Sequence, residues 1–198
     1  MIMFGGYDGQ NSKNDLWTLD LTTYAWVQKT NSATKPSVRS GHTSCLLNGN
    51  MIMFGGNGAG QKNDVWSLDL STFIWTEIST SGTAPVGRYG HSTTLLHGKM
   101  LVFGGYGGGY LNDAWFLDLT TNHWEEVTAV GKTQASNIPS GRYRHSSVAT
   151  IDEMKMIMLG GTDDSSKFDD MWTLDFNEGT TTTTNLYCVR PSTSNSIG

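Results

Sequence analysis

Three arginines and three histidines recur in one short frame, Arg-x-x-His, at Arg39/His42, Arg88/His91 and Arg142/His145. A guanidinium presents a planar fork of donors that grips a carboxylate or phosphate through two parallel hydrogen bonds. An imidazole can ligate a metal or move a proton near neutral pH. An internal use competes with both. Asp64 lies 25 residues after Arg39, Asp113 lies 25 after Arg88, and Asp170 lies 28 after Arg142. An Arg–Asp pair joining two strands would employ each arginine without any ligand, and the constant spacing favours it over direct contact with an acidic partner. A catalytic residue is expected to be singular, whereas one repeated in every structural unit is usually architectural. The three histidines are therefore expected to be hydrogen-bonded parts of the repeat rather than metal ligands. Singular aromatic residues in variable connections are better partner anchors, because aromatic side chains dominate binding hot spots. Tyr7, Tyr106, Tyr110 and Phe168 fit that description. Arg39, Arg88 and Arg142 are kept beside them as candidate partner contacts.

These residues sit in a repeat. A glycine pair closes a short apolar run four times, at Gly5-Gly6, Gly55-Gly56, Gly104-Gly105 and Gly160-Gly161. Ten or eleven residues later comes Trp17, Trp66, Trp115 or Trp172, each in the frame Asp-x-Trp-x-Leu-Asp. Nine residues further lies a second tryptophan, Trp26, Trp75 or Trp124, with none in the fourth unit. The first two Trp-to-Trp steps are 49 residues and the third is 57, the excess falling in connections. Each unit reads as four strands: a (Gly41 to Leu47), a turn at Asn48-Gly49, b (Met51 to Phe54), c (Asp64 to Leu70) and d (Phe73 to Ile78). Strands b and c are apolar on both faces, so each unit must be covered on both sides. A four-stranded sheet of that size cannot cover itself. Copies must stack face to face, and radial stacking around an axis gives a β-propeller.

Composition excludes other classes. The chain has 198 residues, 24 of them glycine and 7 tryptophan, with a formal net charge of −5. No apolar run approaches the ~20 residues of a membrane helix. Acidic balance without a Lys/Arg cluster speaks against a nucleic-acid binder. Two cysteines, Cys45 and Cys188, are too few for a disulfide framework and form no C-x-x-C pair. Cys45 reads as a buried strand thiol. The first residues have no basic segment before a long apolar one, so they do not read as a signal peptide, and the cytoplasm is the expected compartment.

The double glycine after an apolar strand, followed by two tryptophans at a period near 50, resembles the kelch repeat. The Arg-x-Gly-His opening and the Asn-Asp-x-Trp element (Asn14-Asp15, Asn63-Asp64, Asn112-Asp113) are similar to one subset of that family. The resemblance covers residues 1–176 and implies an all-β propeller of about four blades, with segments near 1–30, 38–79, 87–128 and 141–176. The first and last blades are expected to be incomplete. Residues 177–198 read as a Thr-rich tail, with a substitute outer strand around Asn185 to Val189 and disorder beyond it. Such an incomplete ring implies further blades from a longer chain, or self-association. Kelch propellers mostly serve as protein-interaction platforms, so the resemblance implies a non-catalytic scaffold that displays variable loops on one face. No cofactor is implied. The alternative is a propeller enzyme acting on a sugar or small acid at the channel mouth. The iron site of kelch specifier proteins, Glu-x-x-x-Asp-x-x-x-His, has no match here, and G-x-S-x-G and H-E-x-x-H are absent.

Overall fold

A computed structural model describes residues 1–30, 33–127, 138–150, 155–178 and 184–189. The described residues form strands and turns and no helix. Blade 1 consists of β1 (Ile2–Tyr7), β2 (Ser12–Leu19) and β3 (Trp26–Lys29). Blade 2 consists of β4 (Thr43–Leu47), β5 (Asn50–Phe54), β8 (Val65–Asp69) and β9 (Trp75–Ile78), with a small ribbon of β6 (Asn57–Gly58) and β7 (Gly60–Gln61) between β5 and β8. Blade 3 consists of β10 (Ser92–Leu96), β11 (Lys99–Tyr106), β12 (Tyr110–Asp118) and β13 (His123–Glu126). Blade 4 consists of β14 (Ser146–Thr150), β15 (Lys155–Leu159), β16 (Met171–Glu178) and β17 (Thr184–Val189). Within each blade the strands pair antiparallel in chain order. β10 packs against both β4 and β14, so the a strands of neighbouring blades lie side by side.

Turn chemistry fixes the hairpins. Asn48-Gly49 and His97-Gly98 take left-handed backbone at both residues, with φ of 50° and 76° in the first and 46° and 76° in the second. That geometry matches the twist of the strands they join. After the c strands of blades 1, 2 and 3 an aspartate caps the turn. Asp20, Asp69 and Asp118 each accept the backbone N–H groups two and three residues on. This is a side-chain mimic of a backbone turn, which aspartate favours.

Blade stacking makes the core. Phe4 and Leu16 of blade 1 meet Met53, Trp66, Leu68 and Trp75 of blade 2. Ile52, Phe54 and Val65 of blade 2 meet Met100, Val102, Trp115, Leu117 and Trp124 of blade 3. Leu101, Phe103, Ala114 and Phe116 of blade 3 meet Met156, Met158, Trp172 and Leu174 of blade 4. Each fully buried large apolar side chain contributes about 1.5–3 kcal/mol, so these three seams hold the fold. Trp17 and Trp26 do not share this role. Trp26 is 45% exposed where its counterparts Trp75 and Trp124 are 2% exposed. Trp17 is half-buried, and no preceding blade covers their face among the described residues.

Three features bear on the sequence expectation. In blades 1 and 3 the b strand runs on past its glycine pair through a bulge, between Phe4 and Gly6 and between Phe103 and Gly105. The b–c connections there are hairpin extensions rather than free loops. Blade 4 is not left at three strands. Thr184–Val189, rich in β-branched and aromatic residues that suit a pleated surface, pairs with β16 from Glu178↔Thr184 to Thr173↔Val189. Most of the long d–a connection, Ala129 to Ser140, lies outside the described residues, as do the threonines near 180 and the end of the tail.

One glycine carries a blade junction. Gly55 has φ +67°, and a Cβ there would lie 2.8 Å from the Arg88 carbonyl oxygen. The same carbonyl accepts the Gly56 N–H at 2.8 Å. Gly55→Ala is expected to lower stability by about 2 kcal/mol or more, through strain and loss of that approach. A urea midpoint measures it. A change within the ~0.5 kcal/mol of an ordinary surface substitution would show that the junction relaxes freely.

Candidate functional site

The three arginines are buried at 0%, 0% and 1% exposure. Arg39 donates to both oxygens of Asp64 at 2.7 and 2.8 Å, and Arg88 to those of Asp113 at 2.6 and 2.8 Å. Arg142 donates to Asp170 at 2.5 and 2.9 Å. Each also donates to the carbonyl of the first glycine of its own blade's pair, Gly55, Gly104 or Gly160, at 2.9 Å. The aspartate in turn accepts the indole N–H two residues on, from Trp66, Trp115 or Trp172. Burial alone would raise the Asp113 carboxyl. The hydrogen bonds and charge of Arg88 and the Trp115 indole overcome this and hold it below its ordinary value. Asp64 is lowered in the same way by Arg39 and Trp66 against the effect of burial. The placing of Arg39, Arg88 and Arg142 among partner contacts is thereby corrected. A fully buried, bidentate guanidinium joins strands a and c of its own blade and offers nothing to a visitor.

The histidines join one blade to the next. His91 Nε2 lies 2.7 Å from Thr43 Oγ1, and His145 Nε2 lies 2.8 Å from Ser92 Oγ. Nδ1 of each is buried without a hydrogen-bond partner. A buried donor is costlier to leave unpaired than a lone pair, so we assign the proton to Nε2, donating to the hydroxyl. Burial, then the nearby arginine, pushes His91 down to about 3 and His145 down to about 4. Both rings are neutral at pH 7. Among the described residues no three His, Cys, Asp or Glu side chains converge in a way that could hold a metal ion.

The a-strand starts and b–c turns converge on one face around a groove of about 800 Å³. Its walls include Tyr7, Asn57, Tyr89 and Arg144. Tyr7 is 62% exposed, with its hydroxyl on the Gly9 carbonyl. Beside the groove four tyrosines cluster. Tyr106 packs on Tyr89 at 5.5 Å and on Tyr110 at 5.3 Å between ring centres, and Tyr143 packs on Tyr89 at 6.0 Å and Tyr110 at 5.8 Å. Asp164 ties the cluster to blade 4, accepting from Tyr110 at 2.5 Å and Tyr143 at 2.6 Å. Those bonds raise both phenols and lower the Asp164 carboxyl. Phe168 stands apart, half-buried against the Arg142 guanidinium at 4.1 Å.

Arg144, Tyr89, Tyr143 and Asp164 escaped the sequence reading. The signal was present in the comparison of repeats. Arg144 takes the place of Gly41 and Gly90 in the Arg-x-Gly-His frame, and it keeps their left-handed backbone, with φ 58° against 65° and 64°. A non-glycine residue held there marks a functional position as a hypothesis. Its guanidinium lies 4.9 Å from the Tyr143 ring centre.

A family model described as the KLHDC2/KLHL20/DRC7 Kelch-repeats domain matches residues 1–148. Over single-repeat lengths the chain is similar to a probable serine/threonine-protein kinase of Dictyostelium discoideum, 46% identical over 57 residues. It is also similar to the Rho GTPase-activating protein gacHH of that organism, 34% over 55 residues, and to Host cell factor 2 of Homo sapiens, 41% over 56 residues. Each match takes in 28% of this chain and only 4%, 4% and 7% of the respective relatives, so the likeness is to a repeat within much longer proteins. With four sheets stacked through glycine pairs and tryptophans, and a family match over most of its length, the chain belongs to the KLHDC2/KLHL20/DRC7 kelch-repeats domain family.

Proposed function

We propose that this chain is a non-catalytic protein-binding scaffold whose partner docks on the face carrying the b–c turns. Kelch-repeat domains of this family generally bind proteins. The observation that carries the finer reading is the tyrosine cluster beside the groove, drawn from blades 3 and 4 and locked through Asp164. Tyrosines fixed in advance present a large amphipathic area with little left to order on binding. Among the described residues, Arg144 is the one charged side chain lining the groove.

The test is capture on the purified chain followed by mass spectrometry, repeated with Tyr106→Ala and Tyr110→Ala. The expected outcome is a specific protein partner whose retention falls at least about tenfold with either variant, as for an interface hot spot. Circular dichroism checks that each variant stays folded. A partner indifferent to every b–c substitution would place the docking surface elsewhere. Stoichiometric metal on the purified chain would favour chemistry at the channel mouth instead.

A further inference from the structure

The groove on the b–c face carries a charge that its own walls leave unanswered. Arg144 lines it, is exposed, and has no carboxylate within ion-pair reach among the described residues. Blades 2 and 3 place Gly41 and Gly90 at the same position, with φ of 65° and 64°. Arg144 keeps φ 58° and donates its backbone N–H to the Gly90 carbonyl at 2.7 Å, as Gly90 donates to Gly41 at 2.8 Å. Glycine would hold that backbone without strain. What arginine adds here is its side chain, and a strained backbone that keeps a side chain in a cleft points to use of that side chain.

The rest of the wall is neutral and polar. Gln10, Asn11 and Asn57 bring three side-chain amides, and Ser12 and Ser40 bring two hydroxyls. Among the described residues no hydrogen bond engages those five side chains. The main chain behind them is already paired, since Ser40 and Asn57 exchange both of their hydrogen bonds at 2.8 Å. Those segments therefore offer a peptide no free edge to extend. Val38 and Ala59 are the aliphatic side chains of the wall, too little apolar surface to pocket a hot-spot anchor. Tyr7 and Tyr89 supply ring faces.

These groups have complements in one class of molecule. A side-chain amide sets a donor beside an acceptor, which suits neighbouring hydroxyls. An aromatic face packs on C–H groups. A guanidinium takes both oxygens of a carboxylate. The groove, at about 800 Å³, falls within the ~300–1,000 Å³ of small-molecule sites. We infer that it is a binding site for a sugar bearing a carboxylate, a uronic acid either free or as a unit of an acidic polysaccharide. Arg144 takes the carboxylate, Gln10, Asn11 and Asn57 take hydroxyls, and the tyrosine faces take the C–H surface of the ring. The site is separate from the protein docking proposed above, because Tyr106 and Tyr110 do not line it.

Saturation-transfer NMR on the purified chain reads the site, with D-glucuronic acid and D-glucose as probes. Glucuronic acid is expected to bind with a Kd on the order of 1 mM. Glucose should bind at least about tenfold more weakly, for want of the charge-assisted pair. Arg144→Gly restores the residue of blades 2 and 3, so the chain stays folded, and it removes the preference for the acid. Asn57→Ala weakens both sugars by a similar factor. A trimer of galacturonic acid that binds more tightly than its monomer marks a polysaccharide as the source, and equal binding marks the free acid. Glucuronic acid that fails to bind at about 10 mM, or an acid preference that survives Arg144→Gly, overturns the site. So does displacement of the sugar by an equal concentration of a short glutamate peptide, since the occupant would then be a polypeptide. The tyrosine variants of the docking test leave this groove intact, so the two readings fail separately.

Discussion

Arg88→Ala is expected to cost about 3–5 kcal/mol, the loss seen when one partner of a buried ion pair is removed. Stabilities of single domains run to about 5–15 kcal/mol, so the variant should be unfolded, or nearly so, at 37 °C. Three acceptors lose their donor together: the Asp113 carboxylate, the Gly104 carbonyl at 2.9 Å and the Val86 carbonyl at 3.1 Å. The carboxylate is only 24% exposed on its side chain, so water replaces the guanidinium poorly. Asp15→Ala supplies the internal control. It alters the same motif position in a blade where no arginine among the described residues is engaged, and it removes one indole hydrogen bond, so it should cost about 1 kcal/mol. Urea unfolding of the two variants beside the parent chain measures the contrast. Equal losses would show that the aspartate's bond to tryptophan, rather than the arginine clasp, holds the blade.

That contrast also shows which parts of the molecule were legible in the sequence. The Arg–Asp clasp was visible because both ends repeat at fixed separation and the pair closes inside one blade. The hairpins were visible in Asn48-Gly49 for the same local reason. The tyrosine cluster was not. Tyr89, Tyr106 and Tyr110 come from blade 3 and Tyr143 from blade 4, and their meeting depends on how one blade is rotated onto the next. Repeat arithmetic does not encode that rotation. Phe168 had the right residue type for a partner anchor, but its neighbour Arg142 comes from an a strand 26 positions earlier and claims one face of the ring. The strand at Thr184–Val189 carries none of the repeat's marker residues, so only its general β-propensity announced it. Sequence reading succeeded where both partners recur in the repeat, and lost ground where a contact crosses between blades or involves a residue outside the repeat pattern.

Between pH 7 and pH 5 the titration of His91 and His145 alone should cost the domain about 4 kcal/mol of stability, and the cause is a contact of that crossing kind. His91 and His145 are 3% and 7% exposed and titrate at about 3 and about 4 in the folded chain. An unfolded histidine titrates near 6.5. The folded values are depressed, so the unfolded chain binds more protons throughout that interval. The contribution is complete above about pH 6.5 and drains as the pH falls toward the folded values. At pH 5 each ring has lost about 1.5 units, or ~2 kcal/mol, and the two together about twice that. Protonation places a charge on a buried Nδ1 that has no acceptor to receive it, beside an arginine of the same sign. Asp64 and Asp113 work at a lower pH. Their depressed carboxyls contribute above about 3.8 and fail only as the pH drops through their folded values. The acid limb should therefore have two stages, histidine first and carboxylate after. His42, pushed down to about 4 mainly by burial, adds to the first stage, so His145→Asn, which removes one of three titrating rings, should flatten that stage by about a third while lowering stability at pH 7. A urea midpoint constant from pH 7 to pH 5 in the parent chain would mean that these rings are wetter than their burial implies, and that the blades are held together without them.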